Sequence, residues 1–61
     1  MEFTQIAGGD CRVGDCPTIF TTDRGTLVVQ GDIVDKQVPE GEGIVEIPMS
    51  VLREAVRALG W

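Results

Sequence analysis

Apolar and polar positions change rhythm twice along the chain, and each change marks a different element. Residues 18–22, TIFTT, and 26–30, TLVVQ, are β-branched and aromatic runs separated only by Asp23-Arg24-Gly25. Two such runs around a short Gly-containing break read as an antiparallel hairpin, with Gly25 free to take the left-handed conformation that closes a three-residue loop with a bulge. Gly31-Asp32 interrupts the pattern before Ile33 and Val34, so a bend or bulge is expected there. Residues 43–47, GIVEI, alternate with Val45 facing opposite to Ile44 and Glu46, which predicts a further strand ended by Pro48. The rhythm then becomes helical: Val51, Leu52, Ala55, Val56 and Leu59 make one stripe, with Arg53, Glu54 and Arg57 opposite. Pro48 is expected at the first helical position, where its missing N–H costs nothing, and Gly60 as the stop.

The remaining segments are less regular. Residues 1–7 alternate weakly and fit either a short edge strand or a loosely packed arm. Residues 8–17, GGDCRVGDCP, have the Gly/Asp/Pro content of a turn-rich loop, and 35–43, DKQVPEGEG, read as a polar loop. The fold expected is therefore one α+β domain over 1–61. A loop spans 8–17, a small antiparallel sheet of three to four strands lies within 18–47, and one C-terminal helix over 48–59 packs on one sheet face. Its expected core is Ile19, Phe20, Leu27, Val29, Ile33, Val45, Ile47, Leu52, Ala55, Val56 and Leu59.

Size makes that core thin. A chain of 61 residues buries only about 60% of the surface its unfolded form exposes, so a covalent staple or a partner surface is expected to help. A bond between Cys11 and Cys16, or self-association through a sheet edge or helix face, would serve.

Ten acids against five bases and no histidine give a net charge of −5. Arg12, Arg24, Lys36, Arg53 and Arg57 are dispersed along the sequence, which disfavours a direct nucleic-acid partner. The N-terminus lacks the basic start and apolar run of an export signal, and no apolar stretch approaches a membrane span, so a soluble cytoplasmic protein is expected. In that setting Cys11 and Cys16 are expected as free thiols, with a local disulfide as the alternative.

Candidate chemistry is sparse. The doubled Gly-Asp-Cys at 9–11 and 14–16 places two thiols in one loop, but a structural zinc needs four ligands and would have to recruit Asp10 and Asp15 or a second subunit. The C-x-x-C spacing of redox catalysts is missing. Asp32, Asp35, Glu40 and Glu42 are expected to be solvated rather than catalytic. Without histidine, Ser50, Cys11 and Cys16 lack their usual base. No enzyme activity, no cofactor and no metal are expected. Arg24 at the hairpin tip and Trp61 beyond the helix are the candidate partner contacts, and Trp61 could equally fold back over the helix end.

Residues 16–31, CPTIFTTDRGTLVVQG, resemble a family of small uncharacterised actinobacterial proteins. In them a Cys-Pro strand, a Thr-Asp-Arg-Gly turn and a Val-Val-Gln-Gly strand precede a polar loop, a Val-Glu-x-Pro strand end and a helix. The likeness spans residues 11–59, with Ile44-Val45-Glu46-Ile47-Pro48 as the strand end and a shorter 35–43 loop. The resemblance implies a neighbourhood of helix-turn-helix regulators and BldB-like accessory proteins, and hence a regulatory protein-binding role without catalytic residues. Residues 43–60 are also similar to the strand-Pro-helix segment of AbrB-like DNA-binding regulators and antitoxins, although Met49 stands where that family commonly has a basic residue. The leading expectation is a non-enzymatic, homodimeric interaction module that binds a larger regulator. An AbrB-like DNA binder and a thiol or metal protein using Cys11 and Cys16 are the alternatives.

Overall fold

The computed structural model describes residues 1–9 and 16–61. Among these residues six elements follow in order: β1 (Phe3–Gly8), β2 (Thr18–Thr22), β3 (Leu27–Gln30), β4 (Asp32–Ile33), β5 (Val45–Glu46) and α1 (Met49–Leu59). β1, β2 and β3 form an antiparallel sheet with β2 in the centre, and β4 and β5 form a separate two-stranded ribbon. The α+β class and the single C-terminal helix agree with the sequence pattern, and the strands divide between two sheets.

The hairpin forms as its residue types require. Gly25 takes φ 73°, and its N–H donates to the Thr22 carbonyl at 3.3 Å while the Thr22 N–H donates to the Thr26 carbonyl at 3.0 Å. That pair of bonds defines a three-residue loop with a glycine bulge. Thr22 adds side-chain support: its Oγ1 accepts from the N–H of Arg24 at 3.1 Å and of Thr26 at 3.3 Å.

Residues 3–8 resolve as a strand. β1 pairs with β2 in the register Phe3↔Thr22, Thr4↔Thr21 and Gln5↔Phe20, then shifts by one residue to Ala7↔Ile19 and Gly8↔Thr18. The extra residue is Ile6. Because directly opposed residues of an antiparallel pair share a face, the bulge sets Ala7 beside Ile19 on the side where α1 lies. The strand start is tied to the hairpin tip, with the Asp23 N–H donating to the Glu2 carbonyl and the Glu2 N–H to Asp23 Oδ1.

The helix is delimited at both ends by backbone chemistry. Pro48 is the N-cap, with φ −64° and ψ 147° and no side-chain capping bond, so the first helical residue is Met49 rather than Pro48 itself. At the other end Gly60 takes φ 74°; its N–H donates to the Arg57 carbonyl and the Trp61 N–H donates to the Val56 carbonyl. These two bonds make a Schellman motif, whose usual companion is an apolar contact between the residue after the glycine and the residue at the far end of the last turn.

The core is smaller than expected and displaced toward β1. Ala7, Ile19, Val51 and Ala55 are its buried members, with Ile6 and Ile47 packed against them. Of the residues expected inside, Ile19 and Ala55 are buried, and Phe20, Ile47, Val56 and Leu59 are half-buried. Leu27, Val29, Ile33, Val45 and Leu52 are exposed, Leu27 by 49% and Ile33 by 87%. The reason lies in helix placement. α1 packs chiefly over β1 and less over β2, leaving β3 at the uncovered margin, while Ile33 and Val45 pair with each other in the ribbon outside the main sheet.

Gly31 joins the two sheets. A Cβ built there would collide with the Glu46 carbonyl oxygen and lie 2.9 Å from Ile47 Cγ2. Only glycine lets the β3–β4 turn approach the strand that leads into Pro48 and α1. The expected interruption at this dipeptide is therefore a bend between sheets.

Candidate functional site

The Schellman motif puts Trp61 back alongside Val56, and the helix end lies beside the hairpin. Trp61 thereby borders two adjoining depressions. One, of ≈ 240 Å³, is lined by Leu27 of β3, Leu59 of α1 and the turn residues Gly25 and Thr26. The other, of ≈ 380 Å³, is lined by Leu52, Arg53, Val56 and Arg57. Trp61 remains 80% exposed between them, so it is a ridge within an open apolar groove rather than a lid on the core.

The two candidate partner contacts thus fall at one end of the molecule. Gly25, the residue after Arg24, lines the same depression as Trp61. Arg53 and Arg57 border the second depression, and Arg24 precedes the turn residue Gly25 that lines the first. Sequence dispersion concealed this placement, since the turn after Arg24 and the helix end that carries Arg57 come to the same side of the molecule only once the helix has folded back over the sheet. The signal available in the sequence was the helix end itself: an apolar residue after Gly60, with Val56 in the last turn, is the pattern of a Schellman motif.

Cys16 is disulfide-bonded, in place of the free thiol expected of a reducing compartment. Cys11, with Asp10, Arg12 and Asp15, lies outside the described residues. Cys16 is buried, and its carbonyl accepts bonds from Thr18 Oγ1 at 2.9 Å and Gln30 Nε2 at 3.2 Å. These bonds fix the entry to β2 against the end of β3.

A third depression, ≈ 300 Å³, lies between the sheets and is lined by Pro17, Asp32, Glu46, Ile47 and Pro48. Asp32 and Glu46 face each other across the ribbon as a pair of carboxylates. Among the described residues no three His, Cys, Asp or Glu side chains gather as a metal ion requires. No helix among them is long and apolar enough to cross a membrane.

Fold and site together define a small α+β protein that carries, among its described residues, an open apolar groove bordered by Arg53 and Arg57. No protein-family model, curated protein or solved structure matches the chain.

Proposed function

We propose that the chain is a non-enzymatic protein-interaction module, a homodimeric accessory of a bacterial transcriptional regulator, which binds that larger protein in the groove around Trp61. One observation carries this: a tryptophan whose backbone is anchored by the helix-ending motif and whose side chain is 80% exposed, with Leu27, Leu52, Val56 and Leu59 on either side of it. Interface hot spots are enriched in tryptophan and arginine, and both stand here. A backbone already fixed at the anchor lowers the entropic cost of binding. The arginine border selects a partner segment that is acidic at its margins and apolar at its centre. A helix-turn-helix regulator is the class of partner that the hairpin resemblance supports.

The experiment is a pair of affinity captures from a lysate of the native cell, one with the wild-type chain and one with Trp61→Ala. Recovery of a single regulator by the wild type and its loss with the variant supports the assignment. Equal recovery by both would remove the groove from it. A duplex DNA titration run alongside separates the AbrB-like alternative, because direct DNA contact gives an affinity that falls steeply with salt.

A further inference from the structure

Among the described residues β3 ends the sheet with one side unpaired, and its composition is unusual for such a position. Edge strands in monomeric proteins are normally blunted by charge, proline or a bulge. The other edge, β1, carries the Ile6 bulge and lies under α1. β3, Leu27-Val28-Val29-Gln30, has no charge, no proline and no irregularity in its pairing with β2. Leu27 and Val29 lie on the helix side and are 49% and 40% exposed. Their backbone groups point outward as well. Thr22 and Thr26 are a hydrogen-bonded pair, and such pairs alternate with non-bonded ones in an antiparallel ladder. The next bonded pairs are then Phe20–Val28 and Thr18–Gln30, which leaves the N–H and C=O of Leu27 and Val29 facing away from β2.

The chain also exposes more surface than its mass requires. Its accessible area is 5042 Å², against about 3,900 Å² for a folded monomer of 6.6 kDa. The excess, about 1,100 Å², is more than the roughly 800 Å² that one partner buries in a stable interface. The radius of gyration, 12.3 Å, likewise exceeds the roughly 10.5 Å expected of a compact chain this long.

From the unprotected edge and the excess area together, we infer that β3 pairs with β3 of a second copy, antiparallel about a two-fold axis at Val28, giving a continuous six-stranded sheet. This deepens the homodimer part of the proposed function. In that register Leu27 opposes the second copy's Val29, Val28 opposes its own equivalent, and Leu27 and Val29 exchange the four outward bonds. The hairpin tip with Arg24 is carried toward the second copy's Gly31–Asp32 end, which brings opposite charges together in an association of two acidic chains. Both helices lie on one face. The floor between them is made of Leu27 and Val29 from each copy, so pairing extends the apolar groove around Trp61.

Sedimentation equilibrium of the wild-type chain should give twice the 6.6 kDa of the chain. Val29→Pro removes one outward donor per copy at a position that makes no ladder bond to β2, and should raise the dissociation constant about 30-fold. Far-UV circular dichroism should be unchanged. Because proline could instead unfold the strand, Val28→Cys provides a separate reading. Its two copies would meet in a non-bonded pair, and mild oxidation should join the introduced thiols, as identified by peptide mapping, whereas Ile33→Cys in the ribbon should not cross-link. A wild-type chain that sediments at 6.6 kDa at every concentration overturns the homodimer altogether. A dimer that survives Val29→Pro unweakened and fails to cross-link through Val28→Cys leaves dimerisation standing and overturns the β3 edge as its site.

Discussion

The two margins of β2 show the same kind of sequence reaching opposite ends. On the β1 side Ile19 meets Ala7 beneath Val51 and Ala55, and a closed core results. On the β3 side, Val29 opposes the same Ile19 and Leu27 opposes Thr21, yet both apolar side chains stay substantially in water. Hydrophobicity does not separate the two margins, since alanine is the less apolar neighbour and is the one covered. What separates them is the tether of α1: Gly31 brings β5 against the sheet junction, Pro48 sets the chain's exit, and the helix is laid over β1. A small residue at Ala7, placed by the bulge, lets the helix settle close there. β3 is left as prepared surface.

The largest test of this contrast is a pair of truncations in the dilute monomer. Ile19 is 2% exposed, and Ile19→Ala should cost about 2–5 kcal/mol. For a chain of this size that is most of a total stability of roughly 3–9 kcal/mol. Leu27→Ala, at half exposure, should cost about 1 kcal/mol. Urea denaturation reads both. Equal losses would mean that the β3 margin is as much a core as the β1 margin.

The junction comes next. Gly31→Ala sets a methyl group against the Glu46 carbonyl and Ile47, so it should lower stability by about 1–3 kcal/mol as the ribbon and sheet move apart. Gly43 has open space around its missing Cβ and no positive φ, and Gly43→Ala should leave the urea midpoint unchanged or slightly raised. If Gly31→Ala were as harmless as Gly43→Ala, close approach at the junction would not be what directs the helix over β1.

What could be read in advance follows the range of the interactions involved. The hairpin was legible because Asp23-Arg24-Gly25 closes a loop by local backbone rules, and α1 because its stripe and Gly60 are local as well. The β1 strand was only half legible, since Phe3 and Ile6 alternate weakly and the strand exists by pairing with residues more distant in sequence. The identity of the core was least legible: Leu27, Val29, Ile33, Val45 and Leu52 have core-like character, and only the path of the helix decides that they stay outside. The placement of Arg53, Arg57 and the turn after Arg24 on the same side of the molecule as Trp61 was hidden for the same reason.

The hairpin tip offers a smaller effect that bears on the exposed margin alone. Thr22 Oγ1 accepts from two backbone N–H groups and shares a 2.7 Å hydroxyl bond with Thr26 Oγ1. Thr22→Val keeps the shape and removes these bonds, and should cost about 1 kcal/mol in the same denaturation assay. Amide exchange should accelerate first at Arg24, Gly25 and Thr26, with Val51 and Ala55 protected as before. Equal acceleration at the helix would show that the two margins open as one unit.

Trp61→Ala should have a small effect on stability and the most diagnostic one. A residue 80% exposed contributes little to the folded chain, and the urea midpoint should move by no more than about 0.5 kcal/mol equivalent. Partner affinity should fall about 30-fold or more if the indole is a hot spot of the kind that costs at least 2 kcal/mol on truncation. The two measurements must diverge for the contrast between margins to hold, because a surface kept for binding is one whose removal the fold tolerates. A Trp61→Ala chain that unfolds early would instead make Trp61 a cover for Leu27 and Leu59, and the β3 margin would be an incomplete core rather than a docking surface.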